Sequence, residues 1–287
     1  MSPLFGKPPA DGLHPHHRTY SGPVTAAIFD WAGTVLDFGS IAPVVSFRQV
    51  FEEAGVPISE AEARAPMGAA KREHVALILQ NPAVRTRWQT ARGQAPQERD
   101  IDGLYAGFLR VDELNVARHS ALIPGALETI AALRARGIRI GSTTGYPREV
   151  MANLEPVAAK LGYRPDHCCT VSDVARGRPW PAMCLANALA LDVPDVRSCV
   201  VIDDSPTGLE AGLAAGMWTV GVAASGNEVG LSLDAWLGLD DAQRAALVEP
   251  ARERLARVGA HFVIDSIADL LPVIDAIEAH LAASVAP

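Results

Sequence analysis

The stretch VTAAIFDWAGTVLD, residues 24–37, decides the fold. Its first part, residues 24–29, is an apolar run of strand length; Asp30 follows it directly, and Gly33 and Thr34 turn the chain. A carboxylate at the carboxyl end of a buried strand faces the crevice in which open α/β sheets bind their ligands. The stretch therefore predicts a first core strand with a functional aspartate at its tip.

Segments of strand and helix character alternate through the chain beyond residue 118. Runs of strand length occur in IRIGSTTG (138–145), HCCTVSD (167–173), SCVVIDD (198–204), MWTVGVA (217–223) and AHFVIDS (260–266), and helical segments separate them. Such alternation predicts a parallel sheet with helices on both faces. We therefore expect an α/β fold with a Rossmann-like, doubly wound parallel sheet core.

Residues 40–118 contain helical segments and no clear strand. PVVSFRQVFEEAG (43–55) predicts a helix that ends at Gly55, SEAEARAPMGAAKREHVALIL (59–79) predicts one that begins with a serine cap, and DIDGLYAGFLRVDELNVARH (100–119) predicts a third. We expect residues 40–118 to form a helical cap domain, inserted into a core made of residues 23–39 and 119–287. Residues 1–22, which include His14, His16 and His17, are expected to be a flexible N-terminal tail.

Composition narrows the class of protein. The 287 residues are 49% hydrophobic and 20% charged, with a formal net charge of −8, which is typical of a globular enzyme and argues against binding nucleic acid or an anionic membrane. No apolar run approaches the length of a signal peptide or a membrane helix. The four cysteines have a spacing that fits neither a zinc site nor a disulfide framework: Cys168, Cys169, Cys184 and Cys199. We expect a cytoplasmic protein with reduced thiols.

Polar clusters stand at the tips of the predicted strands: Asp30, residues 142–144, the loop 176–178 and residues 203–204. In a parallel sheet these tips share one edge. Two acids, a hydroxyl and a cation around one crevice suit phosphoryl chemistry with a divalent metal such as Mg²⁺. A strand-end aspartate is often only a cap or turn residue, and we favour that interpretation for Asp203, since successive side chains of a strand point apart.

The order of these clusters resembles the haloacid dehalogenase superfamily, on the motifs DWAGT (30–34), GSTTG (141–145), GRP (177–179) and VVIDD (200–204). The resemblance implies that Asp30 is the nucleophile and that Asp204 is a metal ligand. Phosphatases of that superfamily usually carry a second aspartate two residues after the nucleophile, as a general acid. Here that position is Ala32, and the loss of a general acid typically costs a factor of about 10²–10⁴ in rate.

Within the superfamily, nearly the whole chain from Ala26 onward resembles the phosphonoacetaldehyde hydrolase family. The matching stretches are IFDWAGT (28–34), PMGAAKREH (66–74), GSTTGYPRE (141–149), GRPWPAMC (177–184), AGMWTVGV (215–222) and GAHF (259–262). The resemblance implies hydrolysis of the carbon–phosphorus bond of phosphonoacetaldehyde to acetaldehyde and phosphate, in the degradation of 2-aminoethylphosphonate. It makes Lys71 the Schiff-base lysine, whose imine with the aldehyde accepts the electrons of the broken bond.

The same resemblance assigns the other site residues. Arg178 and Thr144 are expected to hold phosphate oxygens, Tyr146 to face the site, and Asp30, the backbone carbonyl of Ala32, and Asp204 to bind Mg²⁺. His74 shares a helix face with Lys71 and could move protons during imine formation, and Met67, four residues before Lys71, could line the pocket. Gly208 stands where some family members carry another acid. A homodimer through the cap is implied, with the apolar residues 44–51 as a candidate surface.

Two other functions remain open from the sequence. One is a phosphatase or phosphomutase of the same superfamily that acts on a small phosphate ester; Ala32 and Lys71 argue against it. The other is a silent member that serves as a binding or scaffold protein, against which the complete set of Asp30, Lys71, Thr144, Arg178 and Asp204 argues.

Overall fold

A computed structural model describes residues 20–283 of the chain. The centre of the fold is one sheet of six parallel strands, in the order β3-β2-β1-β4-β5-β6. The strands are β1 (Ala26–Phe29), β2 (Arg139–Thr144), β3 (His167–Thr170), β4 (Cys199–Asp203), β5 (Trp218–Val222) and β6 (Phe262–Ile264). This order confirms the predicted doubly wound core, because the chain runs outward from β1 first to one side and then to the other.

The core helices follow the strands on both faces of the sheet. They are α6 (Ala126–Ala135), α7 (Arg148–Lys160), α8 (Ala182–Ala190), α9 (Pro206–Ala214), α10 (Leu233–Leu237), α11 (Asp241–Arg257) and α12 (Leu270–Ala283). Residues of β1 alternate between the two faces: Ala27 and Phe29 pack into one apolar cluster, and Ala26 and Ile28 into another. This alternation explains why β1 is apolar throughout: both of its faces are buried.

Five helices lie between β1 and α6: α1 (Ile41–Glu53), α2 (Glu60–Arg64), α3 (Lys71–Gln80), α4 (Pro82–Arg92) and α5 (Glu98–Arg118). The prediction of a single helix over residues 59–79 is wrong, because the chain breaks between α2 and α3, where Gly68 has a φ of +90°. Helix α4 lies in a segment that the sequence pattern left unassigned, although Asn81 and Pro82 mark its start. We call residues 40–118 the cap.

The inner layer of the cap is aromatic. Phe47 of α1 stacks on Phe108 of α5 with ring centroids 4.4 Å apart, and Val44, Val50 and Phe51 are buried with them. The expectation of an exposed apolar face over residues 44–51 is therefore wrong for these four side chains, which pack within the same chain. Val45 is exposed, and a contact of this segment with a partner subunit stays a prediction.

The predicted N-terminal tail, residues 1–22 with its three histidines, lies outside the described residues except for its last three positions. Between residues 20 and 283, no helix has both the length and the apolar character required to cross a membrane.

Candidate active site

A narrow cleft lies between the carboxyl edge of the sheet and the cap. It brings together eight of the residues that the sequence predicts for the site: Asp30, Ala32, Met67, Lys71, Thr144, Tyr146, Arg178 and Asp204. Ser40, Gly68 and Ser205 also line it. The strand register explains the convergence on the core side. Phe29 pairs with Ser142 on β2 and with Ile202 on β4, so the residues that follow in each strand stand level at the same edge.

Three buried carboxylates stand at this edge. Asp30, Asp203 and Asp204 each offer an oxygen atom, and these atoms lie within 4.8 Å of one another. Arg178 contacts two of them: its Nη2 donates to Asp30 Oδ1 at 2.6 Å and lies 3.0 Å from Asp203 Oδ2. The same nitrogen donates to Thr143 Oγ1 at 2.7 Å. Because the guanidinium is almost fully shielded from water, these are strong charge-assisted contacts.

Asp203 belongs to this cluster, and the expectation that its side chain points away from Asp204 is wrong. Strand β4 ends at Asp203, so the alternation of side chains does not extend to the next residue. Asp203 does fill the expected turn role, since its Oδ1 accepts hydrogen bonds from the backbone N and the Oγ of Ser205 at 2.9 and 2.7 Å. A Cβ built on Gly208 would lie 2.0 Å from Asp203 Oδ2, so the Asp203 carboxylate occupies the space beside Gly208.

The electrostatics of the cluster fit a divalent cation. Burial, together with the charges of Asp30 and Asp203, raises the pKa of Asp204 well above its ordinary value. Burial also raises the pKa of Asp203 to about 6, although the charge of Arg178 opposes this. Carboxylates that are buried side by side in this way favour an additional positive charge, and carboxylate oxygens are the hard ligands that Mg²⁺ prefers. A metal site at this edge is therefore consistent with the donor set.

Lys71 reaches the cleft from the cap, as the first residue of α3. A close approach of cap and core places it there: a Cβ on Gly68 would lie 2.2 Å from Thr207 Oγ1 and 2.4 Å from Ser205 Oγ. Only glycine fits at this contact, which brings the start of α3 over the carboxyl edge of the sheet.

The Lys71 side chain is only 5% exposed. Its Nζ lies 4.0 Å from Met67 Sδ, 4.8 Å from the ring centroid of Tyr146 and 5.8 Å from that of Phe47. Burial is the main cause that lowers the pKa of Lys71, and the charge of Arg178 adds to it, whereas nearby carboxylates oppose it. A buried lysine with a lowered pKa is the form of lysine that reacts as a nucleophile.

His74 lies one turn further along α3 but does not line the cleft. It is fully buried, its ring stacks on Phe47 at 4.0 Å, and its Nε2 lies 2.8 Å from the carbonyl oxygen of Ala63. Since a carbonyl only accepts, Nε2 carries the proton. Burial, and next the charge of Lys71, lower the pKa of His74 well below its ordinary value, so the imidazole is neutral.

Thr144 and Tyr146 are joined at the tip of β2. The backbone N–H of Tyr146 donates to Thr144 Oγ1 at 3.0 Å. The Tyr146 hydroxyl is buried and has no hydrogen-bond partner among residues 20–283. Burial raises the pKa of Tyr146 well above its ordinary value, so the phenol remains protonated and able to donate.

Arg64 of α2 connects the cap to the core. It donates to the carbonyl oxygens of Gly39 and Gly230, both at 2.8 Å, and to Asn227 Oδ1 at 3.2 Å. The backbone N–H of Asn227 in turn donates to Asp204 Oδ2 at 2.7 Å. The cap is thus hydrogen-bonded to the loop that orients a carboxylate of the site. Neither Arg64 nor Asn227 stands out in the sequence, because their partners are distant along the chain.

Known proteins resemble this chain over most of its length. The sequence matches the haloacid dehalogenase-like hydrolase family over residues 24–216. It is 48% identical over 272 residues to the phosphonoacetaldehyde hydrolase of Hahella chejuensis, which covers 95% of this chain and 92% of that protein. It is also 48% identical over 266 residues to the phosphonoacetaldehyde hydrolase of Salmonella agona, with 92% and 99% covered. Among solved structures, a phosphonoacetaldehyde hydrolase-like protein from Oleispira antarctica is similar, with a TM-score of 0.92 and 44% identity over 94% of this chain and 98% of that one.

Proposed function

Because this chain belongs to the haloacid dehalogenase-like hydrolases and, among them, to the phosphonoacetaldehyde hydrolase family, we propose that it hydrolyses phosphonoacetaldehyde to acetaldehyde and phosphate, as a step in 2-aminoethylphosphonate degradation. One observation carries the proposal: a buried lysine of lowered pKa, Lys71, lines the same cleft as the strand-end carboxylate of Asp30. Attack of a carboxylate on an ordinary phosphate ester needs no neutral amine, whereas imine formation does.

The first half of the proposed reaction forms an imine. The neutral amine of Lys71 adds to the aldehyde carbon of the substrate, and loss of one water gives the imine, which takes up a proton at nitrogen. Although His74 does not line the cleft, we propose that it assists Lys71 as a base from the same helix, because it is neutral and its Nδ1 has no hydrogen-bond partner among the described residues. The protonated imine is an electron sink, because its nitrogen lies two bonds from the carbon atom that carries the phosphorus.

The second half breaks the carbon–phosphorus bond. An oxygen of Asp30 attacks phosphorus and forms an aspartyl-phosphate, while the electron pair of the broken bond moves through carbon to the imine nitrogen and gives an enamine. Because the leaving group is a carbon atom stabilised in this way, it needs no acid at position 32. Ala32 is then compatible with full activity.

Water completes the cycle. The enamine takes up a proton at carbon, and one water hydrolyses the resulting imine to acetaldehyde and free Lys71. A second water hydrolyses the aspartyl-phosphate to phosphate and free Asp30. One water is released and two are consumed, so the balance is one water per phosphonoacetaldehyde. Arg178 and Thr144 are proposed to hold the phosphoryl oxygens, by charge and by hydroxyl hydrogen bonding, with Met67 and Tyr146 beside the aldehyde.

We also infer that Mg²⁺ is the divalent cation of the site, held by Asp30, the backbone carbonyl of Ala32, and Asp204. Bound there, it would supply positive charge that offsets the dianionic phosphonate, so that a carboxylate can approach phosphorus. The cluster of three buried carboxylates supports this proposal.

The cellular setting is proposed on separate grounds. All four cysteines are free thiols, which supports a reducing, cytoplasmic compartment. A homodimer is proposed from the family resemblance, without an assigned surface.

The test is reductive trapping. The enzyme is incubated with phosphonoacetaldehyde and borohydride, and its peptides are mapped by mass. We expect an adduct on Lys71, while Lys160, which is a second lysine of the described chain, stays unmodified. Lys71→Arg keeps the charge and should lose both the adduct and phosphate release. Release of phosphate from simple esters by the wild type, with no adduct and no dependence on Lys71, would favour a phosphatase instead.

A further inference from the structure

One buried carboxylate, which lies in the cap, has no role in the reaction described so far. Asp112 of α5 has no solvent-exposed surface. Its Oδ1 accepts a hydrogen bond of 2.6 Å from Ser46 Oγ on α1, and Asn115 Nδ2 donates to the same Ser46 oxygen at 3.1 Å. Its other oxygen, Oδ2, has no hydrogen-bond partner among residues 20–283.

A half-satisfied buried carboxylate is costly. A charged group that is buried without a partner destabilises the folded state, because it has lost its hydration and gained no compensating charge. Two neutral residues could join α1 to α5 without this cost. The buried position of this carboxylate therefore suggests that it interacts with a basic group, and Lys71 is the basic side chain that is buried nearby in the cap.

A series of side-chain contacts connects Asp112 with Lys71. Phe108, one turn before Asp112 on α5, stacks on Phe47, which follows Ser46 on α1. The Lys71 Nζ lies over that same Phe47 ring, at 5.8 Å. Both side chains are buried, so water screens their interaction only weakly.

We propose that Asp112 is a positioning residue for Lys71: a buried counter-charge that holds the lysine amine in the cleft and stabilises the positive nitrogen of its imine. The role of Asp112 in catalysis rests on the function proposed above. The role is reached through Lys71, since Asp112 does not line the cleft.

The mutual effect on the pKa values agrees with this assignment. Burial raises the pKa of Asp112 to about 6, and the charge of Lys71 opposes that rise. In turn, the carboxylate of Asp112 is the strongest of the charges that oppose the lowering of the Lys71 pKa, ahead of Asp30 and Asp204.

The other charged groups that face this pair are accounted for. Arg178 acts on Lys71 from the core and lowers its pKa, and His74 on the same helix is neutral. Asp37, in the segment that enters the cap, interacts with Asp112, and Tyr146 interacts with the carboxylates of both. Asp112 is the one acid of this group that the cap itself contributes.

The sequence makes a direct test feasible, because lysine occurs only three times, at positions 7, 71 and 160. Protein labelled with [ε-¹³C]lysine should therefore show three side-chain signals, and Lys71→Arg assigns the one from Lys71. A pH titration of that signal in the substrate-free enzyme gives the pKa of Lys71 without any assumption about the reaction.

We expect Asp112→Asn to shift the titration midpoint of Lys71 to lower pH, because the neutral amide no longer favours the ammonium. The acid limb of the pH profile for borohydride trapping should move in the same direction, while turnover at neutral pH falls. Asp112→Glu keeps the charge and should return the midpoint toward that of the wild type.

The matched control is Asp102→Asn, the same change on the same helix. Asp102 pairs with Arg72, the neighbour of Lys71, but its side chain is 60% exposed, so water screens its charge. This variant should leave the Lys71 midpoint unchanged. If Asp112→Asn, checked for folding by circular dichroism, also left that midpoint unchanged, Asp112 would be a structural link between α1 and α5 and the proposal would be overturned. A shifted midpoint without any trapped adduct would instead retain the counter-charge and reject the imine mechanism.

Discussion

Arg178 Nη2 and Asp30 Oδ1 lie 2.6 Å apart, and both side chains are buried at the carboxyl edge of the sheet. The contact occupies Oδ1 of the proposed nucleophile, so we assign the attack on phosphorus to Oδ2. Because Arg178 also contacts Asp203, one guanidinium holds two carboxylates in a fixed arrangement. Their positions are thus set before substrate enters, which is the kind of preorganisation that phosphoryl transfer depends on.

Arg178→Ala should therefore destabilise the fold as well as abolish activity. Removing one partner of a buried ion pair typically costs about 3–5 kcal/mol, because the remaining charges stay buried and unpaired. The free energy of unfolding, measured by urea titration, would show the loss. Arg178→Lys retains a charge but not the planar fork, so it should recover part of the stability and little of the activity. Equal stability of all three proteins would contradict the pairing.

Asp30→Asn should separate the two halves of the proposed reaction. Imine formation uses Lys71 and not Asp30, so borohydride should still trap substrate on Lys71. Phosphate release should fall by roughly 10⁵–10⁶, the scale for the loss of a nucleophile. The adduct should then be phosphonoethyl-lysine rather than the ethyl-lysine that follows bond cleavage, and peptide mass mapping distinguishes the two. An ethyl adduct formed at the normal rate would show that Asp30 is not the nucleophile.

Arg64→Gln should loosen the cap. Its guanidinium joins α2 to Gly39, Asn227 and Gly230 of the core, and hydrogen bonds to a charged group are worth about 1.5–3 kcal/mol each. Losing even one such contact corresponds to roughly a 10–100-fold decrease in the population of molecules whose cap is closed over the core. We expect lower kcat/KM and faster amide hydrogen exchange in the α2–α3 segment.

The matched control for this change is Arg92→Gln. Arg92 donates to the carbonyl oxygen of Ala54, which also lies in the cap, so that contact does not span cap and core. Exchange in α2–α3 should then stay at the wild-type rate. If both variants behaved alike, the contacts of Arg64 with the core would not be what holds the cap closed.

The core edge of the site is predictable because the information is local. Asp30 directly follows an apolar strand, Asp203 closes another, and parallel strands place such tips together. The structure brings Asp30, Thr144, Arg178 and Asp204 to that edge. The direction of the Asp203 side chain is predicted wrongly, because side chains alternate only within a strand and β4 ends at that residue.

The cap side depends on contacts that a sequence does not display. Gly68 breaks the predicted helix with its positive φ, and the start of α9, at Ser205 and Thr207, approaches Gly68 too closely for a side chain. Arg64 and Asp112 look like ordinary charges on amphipathic helices, since solvated charges are the rule there. Only the packing of α1, α3 and α5 reveals that Asp112 is buried in the interior that also contains Lys71.

Tyr146→Phe should stabilise the substrate-free protein and weaken catalysis. The Tyr146 hydroxyl is buried without a hydrogen-bond partner in the described chain, and an unsatisfied polar group of this kind costs about 1–3 kcal/mol. Phenylalanine removes the hydroxyl but keeps the ring beneath Lys71. A higher melting temperature with lower kcat/KM would indicate that the hydroxyl serves the substrate. Unchanged kinetics would remove Tyr146 from the site and leave it a packing role.

His74 should make stability depend on pH. Its pKa is lowered well below 6.5 in the folded protein, whereas an unfolded histidine titrates near that ordinary value. Below about pH 6.5 the unfolded state therefore binds a proton that the folded state does not bind, and the free energy of unfolding decreases as the pH falls. The slope from one such group is at most about 1.4 kcal/mol per pH unit.

The comparison that isolates this effect is His74→Gln, because glutamine cannot titrate and can still donate to the carbonyl oxygen of Ala63. The variant should be less stable at pH 8, since it loses the ring stack on Phe47. As the pH falls from 7 to 5, however, the difference in the free energy of unfolding between the two proteins should shrink. Only the wild type is destabilised by keeping an imidazole neutral in the folded state. Carboxyl groups such as Asp37, whose pKa burial raises to about 7, titrate in both proteins and cancel. Parallel curves across this range would mean that His74 takes up its proton in the folded cap as readily as in the unfolded chain, and a neutral His74 could then no longer be the base that assists Lys71.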